Sequence, residues 1–347
     1  MTGSRARPGP IPGPVGRLLS IPYSRLIASR NARFDAGFRV IHLDRPVLSI
    51  GNLSVGGTGK TPMTIHIVRL LRSMGRSPCI AMRGYGATEH AGSDEAAELA
   101  AALPGVPIAV GASRADALID LFSHDPGVDT VVLDDGFQHR RLARDLDLVL
   151  LDATRSPFED RLLPEGWLRE PPSVLTRAHA VVVTHTEAAR HEDVDRICES
   201  AALINPALTL AVCRHEWVGL MVSDRGVDRA EPVEWLRGKR AGVVCAIGNP
   251  GPFVSRAREA IEAAPVFDVR RRDHDPYRVP TINDLLRRCN AAEVLITTAK
   301  DWTKLSRARW PIPVVRPLLA LRFDQGEQGL ADLVKRVVEH GALARSP

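Results

Sequence analysis

The run Ser54-Val-Gly-Gly-Thr-Gly-Lys-Thr61 constrains this chain more than any other feature. It follows the apolar stretch Val47–Ile50, which reads as a strand, and opens Thr61–Met74, whose spacing predicts a helix with Gly75 just past its end. A glycine-rich turn between strand and helix aims backbone N–H groups inward and adds the positive helix end, so it holds phosphate oxygens. Ser54, Val55, Gly56, Gly57, Thr58, Gly59, Lys60 and Thr61 are therefore the candidate cradle for the phosphates of a nucleotide. Lys60 is placed to reach the β- and γ-phosphates, and the Thr61 hydroxyl to ligate Mg2+. The general pattern has glycine where Ser54 stands; Gly56 and Gly57 supply the backbone freedom instead.

Val131-Val-Leu-Asp-Asp135 is a second signal, a short apolar strand ending in two carboxylates. Adjacent ionised carboxylates repel each other, and a cation beside them relieves that cost. With a phosphate loop upstream, Asp134 and Asp135 are the candidate Mg2+ ligands beside Thr61. Gln138 and His139 follow closely enough to stand at the same mouth.

Short β-rich runs alternate with helical stretches along the chain. Strands are predicted at Cys79–Met82, Ile108–Val110, Val131–Leu133, Leu148–Leu151 and Val181–Val183, then at Gly242–Ile247, Val266–Val269, Val294–Thr297 and Val314–Leu321. Helices are predicted at 94–103 and around 253–263, 281–289 and 329–340. The fold class is α/β, a P-loop NTPase-type mainly parallel sheet with flanking helices plus a second, smaller α/β domain. The expected organisation is a flexible tail over 1–16, a P-loop core over 17–213, a linker over 214–240 and a second domain over 241–347 that closes over the site.

The chain carries a formal +5. Its first 50 residues hold eight arginines against Asp35 and Asp44, so the remainder is close to neutral. A nucleic-acid footprint spreads over a domain face, and this basicity does not; no nucleic-acid partner is expected. Leu18, Leu19, Ile21, Leu26 and Ile27 interleave with Arg17, Arg25, Arg30 and Arg33, a pattern that suits either packing on the core or an anionic lipid surface. The five cysteines are scattered without C-x-x-C spacing, which points to reduced thiols, and no run is long and apolar enough to span a bilayer.

Taken together, the motifs resemble the tetraacyldisaccharide 4'-kinase family, the lipid A 4'-kinases. The matching pieces are Gly51-Asn-Leu-Ser-Val-Gly-Gly-Thr-Gly-Lys-Thr-Pro62, Arg83-Gly-Tyr-Gly86, Asp94-Glu95, Asp134-Asp-Gly-Phe-Gln-His139, Leu168-Arg-Glu-Pro171, Asp273-His274 and Lys300-Asp301, in family order. Two departures stand out: Ala299 occupies the glutamate position of Thr-Glu-Lys-Asp, and Trp167 a position where proline is common. The resemblance implies transfer of the γ-phosphate of ATP to the 4'-hydroxyl of a tetraacyldisaccharide 1-phosphate, a lipid A precursor. It implies Asp94 as general base and His274 as its partner, with Lys60 catalytic and Glu170 near the nucleotide. Arg83, Glu95, Gln138 and His139 become candidate acceptor contacts. It further implies a peripheral enzyme, expected as a monomer, at the cytoplasmic face of the inner membrane, with the basic N-terminal helix on the lipid. The competing reading is a P-loop GTPase or metal-chaperone NTPase, for which Thr298-Ala-Lys-Asp301 is a weak guanine-reading signal.

Overall fold

The computed structural model describes residues 8–84, 94–273 and 275–343, with side chains left aside at 94 and 340–343. Their contacts divide into two compact units. The first takes the chain up to residue 84, then 103–214 and from 323 onward; the second takes 94–102 and 215–322.

The first unit is a parallel sheet. Its strands are β1 (Val47–Asn52), β2 (Pro78–Met82), β3 (Ile108–Val110), β4 (Thr130–Asp134), β5 (Leu146–Asp152), β6 (Ala180–Thr184) and the first part of β7 (Thr209–Asp224), in the order β7-β6-β5-β1-β4-β2-β3. Every residue of β1, β2, β4, β5 and β6 is buried, as expected when helices cover both faces of a sheet. Chain order reverses around β1: β4 lies on one side and β5 on the other, with Ile50 opposite Asp134 and Asn52 opposite Leu150. Ligands of open α/β sheets bind at the carboxyl ends of strands at such a switch point. Ser54–Gly59 and the two aspartates both emerge there.

Helix α1 (Pro14–Asp35) buries only Gly16 and Ile27. Polar contacts hold it: Ser20 Oγ donates to Leu162 O at 3.1 Å and Tyr23 Oη to Arg169 O at 2.9 Å. Arg140 bonds Asp35 at 2.6 Å. Part of the expected flexible tail is docked, because Ile11 N–H donates to Pro164 O at 3.0 Å and the Trp167 indole to Pro8 O at 3.1 Å. Residues 1–7 lie outside the described residues.

In the second unit β9 (Ala241–Cys245) pairs in parallel with β10 (Phe267–Arg270) and β11 (Val294–Ile296), and β11 with β12 (Val314–Gln325). The expected linker over 214–240 is instead largely strand. The later part of β7 pairs antiparallel with β8 (Val227–Glu231) through Arg225 and Gly226, at φ 50° and 84°. Two consecutive left-handed residues form the two-residue hairpin turn whose twist suits the flanking strands. The second domain also ends earlier than 347. Phe323 returns the chain to the first unit, where α9 (Glu327–Leu343) buries Leu330, Val334 and Val338, one residue per turn. Gly326, at φ 78°, passes so close to Leu210 O that no side chain fits.

Gly51, inside β1, tests how tightly this sheet supports the loop. A Cβ there meets Phe137 Cβ at 2.5 Å and Phe137 N at 2.7 Å, and Phe137 is fully buried. Gly51→Ala is expected to cost about 1–3 kcal/mol through overpacking. Urea unfolding measures this; an unchanged midpoint shows that the Phe137 segment can yield.

Candidate active site

The phosphate loop is sewn to a second segment along its first half. Val55 N–H donates to Trp167 O and Arg169 N–H to Leu53 O, each at 2.8 Å, and Ser54 bridges Leu168 in antiparallel fashion. That pairing explains why serine is tolerated at the usual glycine position: the backbone is extended there and φ is not positive. It also gives the Val55 N–H to protein, so the phosphate donors of the cradle begin after it. Gly56 and Gly59 do need glycine, at φ 137° and 83°, and Gly59 is the N-cap of α2 (Lys60–Ser73). Asn52 Nδ2 donates to Thr58 Oγ1 at 2.9 Å and Thr184 Oγ1 to Thr58 O at 3.0 Å, which fixes the loop's far limb. The first N–H groups of α2, at Lys60 and Thr61, have no intrahelical acceptor by construction.

The two aspartates play different parts. Asp134 is buried, and its Oδ1 accepts the Thr64 hydroxyl at 2.9 Å. Thr64 and Thr61 are three residues apart and share a helix face, so Asp134 stands on the Thr61 side of the loop. Asp135 adopts a left-handed backbone at φ 50°. Its carboxylate meets Arg169 Nη1 at 2.9 and 3.0 Å and Lys60 Nζ at 3.6 Å. Burial alone pushes its pKa up, but Lys60, Arg169 and Arg114 outweigh it and bring the group down to about 2. The Asp135 carbonyl accepts both Arg114 guanidinium nitrogens at 3.2 Å. Arg114 opens α4 (Arg114–His124) directly after its Ser113 cap. It escaped the motif reading, although an arginine at the start of the helix that follows β3 was the available signal.

Glu170 follows Arg169 in the chain. It is fully buried, with Oε1 accepting Asn31 Nδ2 at 2.8 Å and Oε2 accepting Arg177 at 2.6 Å and Gln138 Nε2 at 3.2 Å. Its carboxylate is thus engaged by three protein donors and acts as a strut behind Arg169. Arg177 also lies over the Phe137 ring at 3.9 Å. Gln138 reaches back to Asn52 O at 2.9 Å, and its own carbonyl accepts Arg30. His139 is held neutral: burial first, then Arg114, Arg144, Arg141 and Arg30, bring it down to about 4. Asn31 and Arg177, which complete this network, carried no motif.

The structure thus brings Lys60, Thr61, Asp134, Asp135, Gln138 and Arg169 to one sheet edge. Arg83 follows β2 as an exposed residue. Asp94 begins α3 (Asp94–Ala102), but its side chain is outside the described residues, as is His274 altogether. Glu95 lies on α3, in the second unit, 4.0 Å from Lys300 Nζ. Thr61, Asp134 and Asp135 form an all-oxygen donor set, which fits Mg2+.

A family model described as tetraacyldisaccharide-1-P 4'-kinase matches residues 15–338. The tetraacyldisaccharide 4'-kinase of Anaeromyxobacter dehalogenans (strain 2CP-C) is 36% identical over 326 residues, covering 88% of this chain and 85% of that protein. The protein of the same name from Anaeromyxobacter sp. (strain K) is 35% identical over 368 residues, covering 99% and 95%. A crystal structure of LpxK from Aquifex aeolicus in complex with ATP superposes with a TM-score of 0.71 at 27% identity, covering 92% of this chain and 97% of that one. By sequence along nearly its whole length and by fold, this chain belongs to the tetraacyldisaccharide-1-P 4'-kinase family.

Proposed function

We propose that this chain transfers the γ-phosphate of ATP to the 4'-hydroxyl of a tetraacyldisaccharide 1-phosphate. The observation that carries the reading is the glycine cradle at 54–61 with Lys60 facing Asp135 at 3.6 Å. In the resting chain Lys60 and Arg169 share one carboxylate. A triphosphate in the cradle offers them more negative charge and takes over the Lys60 ammonium, while the α2 N-terminus receives phosphate oxygens. Thr61, Asp134 and Asp135 would hold Mg2+, which would supply positive charge against the phosphates during transfer. Asp94 accepts the proton of the sugar hydroxyl late in transfer, with His274 as its partner. Arg83, Glu95, Gln138 and His139 contact the acceptor or shape its pocket, and Glu170 supports Arg169 from behind.

The GTPase reading loses its one feature. A guanine-reading aspartate must present its carboxylate to the base. Asp301 is instead fully buried, bonded to Thr298 and to Ala246 N–H.

A lipid acceptor fits a peripheral enzyme, and the location proposed with it is the cytoplasmic face of the inner membrane. No helix among the described residues is long and apolar enough to cross a membrane. Leu18, Leu26 and Val15 are 67%, 66% and 61% exposed on α1, an apolar face flanked by arginines. Removing α1 as a test would strip Asn31 from Glu170 and Tyr23 from Arg169. Substitution on its free face avoids that confusion.

Two measurements follow. With Mg-ATP and the tetraacyl disaccharide 1-phosphate, Lys60→Met should lower kcat by about 10²- to 10³-fold while the fold persists. A variant that transfers at the wild-type rate contradicts the assigned cradle. Leu18→Asp/Leu26→Asp should abolish cosedimentation with anionic vesicles, since each buried leucine is worth about 1.5–3 kcal/mol. Unchanged vesicle binding removes α1 as the lipid-facing element.

A further inference from the structure

On the flank of the phosphate loop away from the two aspartates stands a cation that the reaction as described leaves unused. Strand β1 pairs with β4 on one side and with β5 on the other. Lys60 and Arg169 meet Asp135 at the end of β4. From the β5 side, the turn that follows Asp152 brings Arg155 against the loop. A Cβ on Gly56 would lie 3.8 Å from Arg155 Nη1, an ordinary van der Waals contact. The guanidinium therefore stands against the bare backbone at Gly56, where φ is 137° and glycine is favoured.

The backbone that carries Arg155 is fixed. Asp152 is buried, and its Oδ1 accepts the Thr154 N–H at 2.9 Å and the Thr154 hydroxyl at 2.6 Å. Arg155 N–H donates to Asp152 O at 3.0 Å, and Ala153 N–H to Thr184 O at 2.9 Å. Thr184 in turn holds Thr58 O at 3.0 Å. One set of bonds thus mounts both the arginine and the loop's far limb on the ends of β5 and β6, so the half-buried side chain starts from a defined place. The N–H groups of such a loop cradle the α- and β-phosphates, and the γ-phosphate falls to side chains that reach over them. Lys60 reaches in along one flank, and Arg155 is the cation at the other.

We infer that Arg155 is a further catalytic residue, whose guanidinium binds γ-phosphate oxygens of ATP and stabilises the charge on that group during transfer. The inference rests on the reading of 54–61 as the ATP cradle. In the step itself, the sugar oxygen forms a bond to the γ-phosphorus as the bond from that phosphorus to the bridging oxygen breaks. The electron pair of the broken bond stays on ADP, and the hydroxyl proton goes to the base. Charge spreads over the oxygens of the moving group, and an arginine held in the same chain meets it without reorganisation. The planar fork of guanidinium donors matches two phosphate oxygens at once, which a lysine cannot do.

The test uses the full chain with Arg155→Met, Arg155→Lys and, separately, Lys60→Met. It is read by the 4'-transfer assay and by titration with ADP and with a non-hydrolysable ATP analogue. Arg155→Met should lower kcat by about 10²- to 10³-fold. It should weaken the ATP analogue about tenfold and leave ADP within about twofold, because only the analogue carries a γ-phosphate. Arg155→Lys keeps the charge but loses the fork, so its kcat should still fall at least about tenfold. A wild-type kcat in either arginine variant overturns the assignment. So does an equal loss of ADP and analogue affinity, which is what a merely distorted loop produces. Wild-type transfer in Lys60→Met contradicts the cradle itself. Transfer lost there, with Arg155→Met unimpaired, defeats the arginine alone.

Discussion

The site depends on one carboxylate held between two cations. Asp135 stands on a left-handed turn at the end of β4, and from there it meets Lys60 of the phosphate loop and Arg169 of the segment sewn to that loop. At roughly 4 Å and an effective dielectric near 20, each such pair is worth about 4 kcal/mol of Coulomb energy before desolvation is counted. The direction of the Asp135 pKa decides which effect wins: burial opposes the charge, yet the group falls to about 2. The cations therefore overcome desolvation, and Asp135 turns the loop's lysine to the sheet edge. Behind them, Glu170 ties Asn31, Gln138 and Arg177 together and so braces Arg169 against α1.

Much of this was legible in the sequence because it is local. The strands β1, β2, β4, β5 and β6 are fully buried, so they read as short apolar runs, and the loop and acidic pair are contiguous motifs on the ends of β1 and β4. The hairpin of β7 and β8 was not legible. Val227–Glu231 is mostly exposed and charged, and Arg225-Gly226 looks like any surface turn. The return of the chain to the first unit at Phe323 is also invisible locally, since it depends on α9 finding a partner face far back in the chain.

The same distinction runs through the site. Lys60, Thr61, Asp134 and Asp135 carry a motif. Arg114, Asn31 and Arg177 do not, because they arrive from remote segments and their type is set only by what they meet. Glu170 carries a motif too, but the sequence does not show its burial or the three donors around it. Helix α1 has both roles on one cylinder: its polar side is bonded to residues 138, 162, 169 and 170, while Val15, Leu18 and Leu26 are exposed.

Amide hydrogen exchange with and without Mg2+ and a non-hydrolysable ATP analogue tests the central claim most directly. If a triphosphate sits in the cradle and engages the cations now shared by Asp135, exchange should slow across 54–61, the first turn of α2 and residues 134–139. Exchange there that is indifferent to the analogue, or protection found only elsewhere in the chain, would contradict the account.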